Sequence, residues 1–243
     1  MIEIRSLHKE FKGKKVLRGV DLDIHKGEAL AIIGRSGCGK SVLLKHIVGL
    51  LAPDEGYVKV EGKLVGDLSR KELYEIRRKF GFLFQGAALF DSMSVEENIA
   101  LPIMENNFNL SVAELEKQIA EKLELVGLPG IQKLKPAELS GGMRKRVGLA
   151  RALITNPDYI LYDEPTTGLD PIMSDSIDDL IRELNSRLKV TTIMVTHDMY
   201  SVKTVASRIA MVHEGQIYFN GTPDEIINSK DEVINNFVRR TGF

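Results

Sequence analysis

The sequence predicts an α/β domain with antiparallel strands at its start and a helical lobe inserted into its core. Three observations predict it. An unbroken apolar run, Ala29 to Ile33, leads directly into a glycine-rich turn and then a helical segment, as a strand covered on both faces does. From about Ser94 to Ala152 the periodicity becomes wholly helical. From Tyr159 onward, strand and helix patterns alternate again.

The elements follow in order. Ile2, Ile4 and Leu7, then Val20, Leu22 and Ile24, alternate with polar residues as half-buried antiparallel strands do, and Phe11 to Lys15, with Gly13, reads as the loop between them. After the glycine-rich turn a helix runs from about Lys40 to Leu50, closed by Pro53 and Gly56. Tyr57 to Val60 reads as a strand, Ser69 to Lys79 as an amphipathic helix with Ser69 as its cap, and Phe80 to Phe84 as a strand. Ser111 opens a helix in which Val112, Leu115, Ile119, Leu123 and Val126 recur three and four apart, and Gly127 and Pro129 end it. Tyr159 to Tyr162 is a strand, a helix extends through Leu188, and Thr191 to Val195 is another strand. Short strands near Ile209 to Val212 and Gln216 to Phe219 precede two short helices. Residues 1–93 and 153–221 thus form the core of one unit, 94–152 its helical lobe and 222–243 a helical tail.

Bulk properties narrow the function classes. The chain is 43% hydrophobic and 28% charged, which suits a globular protein. A net charge of -1 gives no sign of a nucleic-acid partner. No apolar run approaches the roughly 18 to 20 residues that span a bilayer. Met1 to Arg5 mixes acidic and basic residues where a signal peptide needs a basic start and an apolar core. The expected place is therefore the cytoplasm, unless a partner holds the chain at a membrane. A single cysteine, Cys38, excludes an internal disulfide and a multi-cysteine metal site.

Gly34-Arg35-Ser36-Gly37-Cys38-Gly39-Lys40-Ser41 satisfies G-x-x-x-x-G-K-[ST] between a buried strand and a helix. The glycines let backbone N–H groups converge on phosphate oxygens, and the helix N-terminus adds partial positive charge. Lys40 is expected to reach the β- and γ-phosphates and Ser41 to ligate Mg²⁺. The strand Tyr159 to Tyr162 ends in Asp163 and Glu164. Strand alternation sends the two carboxylates to opposite sides, so they differ in role: Asp163 for the metal through water, Glu164 for polarising an attacking water. Leu139-Ser140-Gly141-Gly142-Met143 precedes a basic helix, Arg144 to Ala152; Gln85 follows a strand, and His197 with Asp198 follows another.

In this order the motifs resemble an ABC-transporter ATP-binding cassette over essentially the whole length. Residues 34–41 resemble its Walker A phosphate loop (hence a P-loop NTPase core), Gln85 its Q-loop, and 139–143 its signature. Residues 159–164 resemble Walker B with the catalytic glutamate, Gly168-Leu169-Asp170 the D-loop, and His197 the switch histidine. Met143 stands where glutamine is commoner. The resemblance implies ATP as the nucleotide, contacted by Gly34 to Ser41 and Val42, with Phe11 stacking on adenine. It implies Mg²⁺ held by Ser41, Gln85 and Asp163, and catalysis by Glu164, His197, Lys40 and Gln85. It further implies a head-to-tail dimer in which Ser140, Gly141, Gly142 and Met143 meet the ATP of the second copy and Asp170 couples the two sites.

The run Leu83-Phe84-Gln85-Gly86-Ala87-Ala88-Leu89-Phe90 narrows the resemblance to the ATPase subunits of Mla/MCE-type phospholipid transporters. The partners so implied are integral-membrane permease subunits, an MCE-type lipid-binding protein and a STAS-domain subunit, with the cassette peripheral on the cytoplasmic face of the inner membrane. An importer of a small polar solute is the alternative, and a soluble ABC ATPase a more distant one. The small and apolar residues after Gln85 suit either a groove for a partner helix or local packing. Cys38, near a helix N-terminus and Lys40, is expected to have a lowered pKa and raised reactivity, unless it is there only as a small residue. The tail, Thr222 to Phe243, either folds back on its own core or docks on another chain.

Overall fold

The computed structural model describes residues 1–105 and 110–240. The end of the tail, Thr241 to Phe243, and four residues of the helical lobe lie outside the described residues. The chain starts with a long hairpin, β1 (Ile2–Phe11) and β2 (Lys14–Ile24). Its turn is tighter than the sequence suggests: only Lys12 and Gly13 are outside the strands, both at positive φ, which matches the strand twist. β3 (Ala29–Ile33) follows, and then α1 (Lys40–Ile47). That helix stops before the expected Leu50, because Gly49 turns left-handed at φ 67° and the Leu50 N–H closes back onto the Lys45 carbonyl at 2.8 Å. β4 (Glu55–Val60) and a two-residue β5 (Lys63–Leu64) come next.

α2 (Arg70–Arg77) is capped by Ser69 with Glu72 reciprocating, and β6 (Phe80–Leu83) follows it. The helical lobe holds α3 (Val95–Glu105), α4 (Val112–Leu125) and α5 (Gly141–Leu153). Ser111 and Glu114 form the same reciprocal cap on α4, a device worth about 1 kcal/mol. The core resumes with β7 (Tyr159–Asp163), α6 (Pro171–Leu188), β8 (Thr191–Val195) and α7 (Met199–Val205). β9 (Arg208–His213), β10 (Gln216–Gly221), α8 (Pro223–Ile227) and α9 (Glu232–Arg240) complete the described chain.

Two sheets result. The small one is antiparallel, in the order β2-β1-β4-β5. The large one runs β10-β9-β3-β8-β7-β6, with every neighbouring pair parallel except β10 with β9. Strand alternation divides the interior. Leu30, Ile32, Leu161, Ile193 and Val195 face α1 and the small sheet. Ala31, Ile33, Ile160, Tyr162 and Met194 face the helical lobe, α6 and α7. The tail folds back: Ile226, Ile234, Phe237 and Val238 join this second core. The C-terminal ends of β3, β7 and β8 therefore open onto one edge, the crevice where open α/β sheets take ligands.

Candidate nucleotide site

The glycine-rich turn joins β3 to α1 at that edge. Gly34, Gly37 and Gly39 have φ of 147°, 77° and 110°, conformations that side chains rarely adopt. Gly34 also has no room: a Cβ there would lie 2.4 Å from the Val212 carbonyl oxygen. Lys40 is only 7% exposed, and its ammonium donates to the Gly34 carbonyl at 2.8 Å and the Arg35 carbonyl at 3.2 Å. The loop thus wraps its own lysine and leaves the backbone curved around a cavity of about 620 Å³. Ser36, Gly39, Ser41 and Val42 line the cavity from this side, and Gln85, Asp163, Glu164 and His197 from the other.

The carboxylates are held differently. Ser41 Oγ donates to Asp163 Oδ1 at 3.4 Å. Burial pushes the Asp163 carboxyl up, and the Glu164 charge adds to this; the Ser41 hydroxyl and the Lys40 ammonium oppose it. Glu164 sits at φ 50°, in the left-handed region, with its N–H bonded to the Val195 carbonyl at 2.8 Å. That backbone turn swings its side chain toward β8, where its Oε1 lies 3.0 Å from His197 Nδ1 and its Oε2 accepts from the Thr167 hydroxyl at 3.2 Å. A non-glycine residue in this region carries strain of order 1 kcal/mol or more, typical of residues aimed for chemistry.

Not every expected residue is brought to the cavity. Ser140 caps α5, accepting from the Met143 N–H at 3.2 Å, and Asp170 caps α6, accepting from the Met173 N–H at 3.0 Å. Gly141 and Gly142 pack toward Leu169 and Met173, so the signature and the D-loop of one chain lie beside each other and away from its own cavity. Phe11 is 41% exposed at the end of β1 with Lys9 Nζ 5.6 Å from its ring centroid; Val16 of β2 lines the cavity. Phe237 of α9 lines it too, a contribution from the far end of the chain that no motif announces.

One expectation is corrected. Burial pushes the Cys38 thiol up, and the nearby Lys40 charge and backbone N–H groups do not overcome it. The side chain packs against the apolar core below the loop, so desolvation outweighs the helix terminus.

The family model "ABC transporter" matches residues 17–167, well over half of the chain. The chain belongs to the ABC transporter family. It is 41% identical over 243 residues to the "Probable ribonucleotide transport ATP-binding protein mkl" of Mycobacterium leprae, covering 99% of this chain and 70% of that one. It is 38% identical over 239 residues to the "Intermembrane phospholipid transport system ATP-binding protein MlaF" of Haemophilus influenzae, covering 98% and 90%. Among solved structures, the dimeric ATP-binding cassette MJ0796 bound to ADP and Pi superimposes with a TM-score of 0.83 at 34% identity, covering 92% of this chain and 99% of that one. This ABC protein is an ATPase of the transporter kind. No described helix is long and apolar enough to cross a membrane.

Proposed function

We propose that this ATPase drives a phospholipid transporter from the cytoplasmic face of the inner membrane, as a head-to-tail dimer bound to integral-membrane permease subunits. The observation that carries the reading is the likeness to MlaF, whose length the chain spans almost completely. An apolar groove beside the Q-loop supports it. Phe82, Phe84, Phe90, Leu101 and Pro102 line that groove between the edge of the large sheet and α3, and Phe84 and Phe90 are 43% and 51% exposed. Phe84 in the groove is the chain neighbour of Gln85 in the cavity, so a permease helix seated there would press on the segment that lines the ATP cavity.

The site chemistry runs on this chain's own groups. Lys40, bound to its own loop carbonyls, exchanges them for the β- and γ-phosphates of ATP. Ser41, Asp163 and Gln85 offer oxygens only, a set that fits Mg²⁺, and Mg²⁺ when bound neutralises phosphate charge. Glu164, fixed by Thr167, orients and polarises the attacking water, and His197 contacts the γ-phosphate. Phe11 or Val16 covers the adenine. The signature of the second copy, Ser140 with the Gly141 and Gly142 amides at a helix N-terminus, closes on the γ-phosphate. ATP then bridges the dimer and hydrolysis removes the bridge. An MCE-type lipid-binding protein and a STAS-domain subunit complete the complex.

The likeness to the "Methionine import ATP-binding protein MetN" of Clostridium tetani, 43% identical over 212 residues, favours a second reading, import of a small polar solute. Isolation of the tagged protein from native membranes in mild detergent, with mass spectrometry of co-purifying proteins and lipids, separates the two. A permease with an MCE-type protein and bound phospholipid supports lipid transport. A permease with a solute-binding protein moves the cargo to a small solute, and no membrane protein at all overturns both.

A further inference from the structure

The signature helix carries two buried cations that no motif assigns. Lys145 is 5% exposed and Arg151 8%, and neither is in an ion pair with a carboxylate among the described residues. Both are solvated by main-chain carbonyls of the Q-loop. Arg151 donates to the Ala88 carbonyl at 2.7 Å and to the Ala87 carbonyl at 2.6 Å. Ala87 and Ala88 are successive left-handed residues, at φ 60° and 47°, a backbone turned so that both carbonyls meet one guanidinium. Lys145 donates to the Gln85 carbonyl and, at 3.3 Å, to the Glu164 carbonyl. One ammonium therefore ties α5 to both the Q-loop and the residue that polarises water.

In the head-to-tail reading the two ends of this connection belong to different ATP sites. Lys145 lies five residues from Ser140, about 7.5 Å along a helix at 1.5 Å per residue. Ser140 is outside this chain's cavity, whereas Gln85 and Glu164 line it. A helix is stiff over that distance, so a shift of α5 when its N-terminus meets phosphate cannot leave both carbonyl bonds of Lys145 unchanged. We propose that Lys145 is a positioning residue that couples the two ATP sites of the dimer, passing contact between the signature and the partner's ATP to Gln85 and Glu164 of its own chain. The proposal rests on the head-to-tail reading of the signature given above.

The test is ATP hydrolysis by the full-length protein as a function of ATP concentration. Lys145→Met keeps the aliphatic stem and removes the donors; Lys145→Arg restores them. The wild type is expected to show a Hill coefficient approaching about 2, the number of sites. Lys145→Met is expected to drop it to about 1 and to lower kcat roughly tenfold, the effect expected of a slightly misplaced catalytic group. Binding of a fluorescent ATP analogue to the dilute monomer stays unchanged, and Lys145→Arg recovers the cooperativity. A Hill coefficient in Lys145→Met equal to that of the wild type overturns the proposal, as does a loss that Lys145→Arg fails to recover. If the methionine variant does not fold, Lys145→Gln, too short to span both carbonyls, takes its place: a Hill coefficient of about 1 supports the coupling, and the wild-type value overturns it. Glu164→Gln serves as the control for the underlying reading: failure of that variant to dimerise on ATP removes the head-to-tail premise itself, whatever Lys145 does.

Discussion

The phosphate loop and the signature are two glycine-bearing turns at helix N-termini, yet they end up with opposite fates. The phosphate loop closes on a cavity that its own chain completes, with Lys40, Asp163, Glu164 and His197 all lining it. Among the described residues, the signature has its helix and its cap, lies outside that cavity, and has Leu169 and Met173 of the D-loop region against its glycines. In the proposed reading one region binds nucleotide within its own chain, while the other acquires a function only across an interface. Substitutions in the two regions should therefore fail in different ways.

The largest effect is expected at Glu164. Glu164→Gln should lower steady-state hydrolysis by about 100-fold or more, the usual size of a general-base contribution, while ATP now holds the dimer closed. Phosphate release and size-exclusion chromatography measure both, and near-normal turnover would remove Glu164 from its role. Lys40→Ala should weaken ATP binding by roughly 10- to 100-fold, the worth of one or two charge-assisted hydrogen bonds. That loss should appear in the monomer, by equilibrium binding of a labelled nucleotide. Ser140→Asp should behave in the opposite way. Aspartate caps a helix as well as serine does, so the fold and monomer ATP binding should stay within about twofold of wild type. The added charge, set against the partner's γ-phosphate, should abolish ATP-dependent dimerisation. Weakened binding in the monomer would show that the signature serves its own chain.

A smaller effect is expected on the helix that begins at the D-loop. Asp178 of α6 is 3% exposed, and burial pushes its pKa up to about 7; Asp198, Asp175 and Asp179 add to the rise and the Ser201 hydroxyl, donating at 2.7 Å, opposes it. The folded chain thus holds a proton that the unfolded chain, with an aspartate pKa near about 4, releases. Stability from this group is full below about pH 4, falls as pH rises toward 7 and is flat above, a loss of up to a few kcal/mol. Asp178→Asn should remove that slope, so urea midpoints at pH 5 and pH 8 should lie closer together than in the wild type. Equal spacing would mean that Asp178 is ionised in the fold. The smallest effect concerns Cys38: with its thiol pushed up, iodoacetamide should modify it a few-fold more slowly than free cysteine at pH 7.5, and MgATP should slow it further.

The sequence announces the parts of this molecule whose chemistry is local. The phosphate loop, the acidic end of β7, the cap Ser69 and the helix start at Ser111 are each written in a few adjacent residues and appear where expected. The strand order of the large sheet has no local mark, and neither does the arrival of Val16 and Phe237 at the cavity wall, because each depends on contacts between distant segments. α7 leaves no clear mark either, because seven residues give too little periodicity. Lys145 and Arg151 read as the basic face of a helix, where lysine and arginine are ordinarily solvated. Only the fold shows that their partners are carbonyls of the turn from Gln85 to Ala88. Cys38 misleads for the same reason: the helix terminus is visible in sequence, and the apolar packing that outweighs it is not.

Everything proposed for the dimer depends on each ATP being shared between the phosphate loop of one chain and the signature of another. The decisive measurement mixes Lys40→Ala with Ser140→Asp, both carrying Glu164→Gln. A mixed dimer assembles one intact composite site, from the phosphate loop of the Ser140→Asp chain and the signature of the Lys40→Ala chain. With a shared site, neither protein alone dimerises with ATP, and the mixture forms dimers retaining one nucleotide per two chains. A mixture that stays monomeric, as its separate components do, would contradict the shared site.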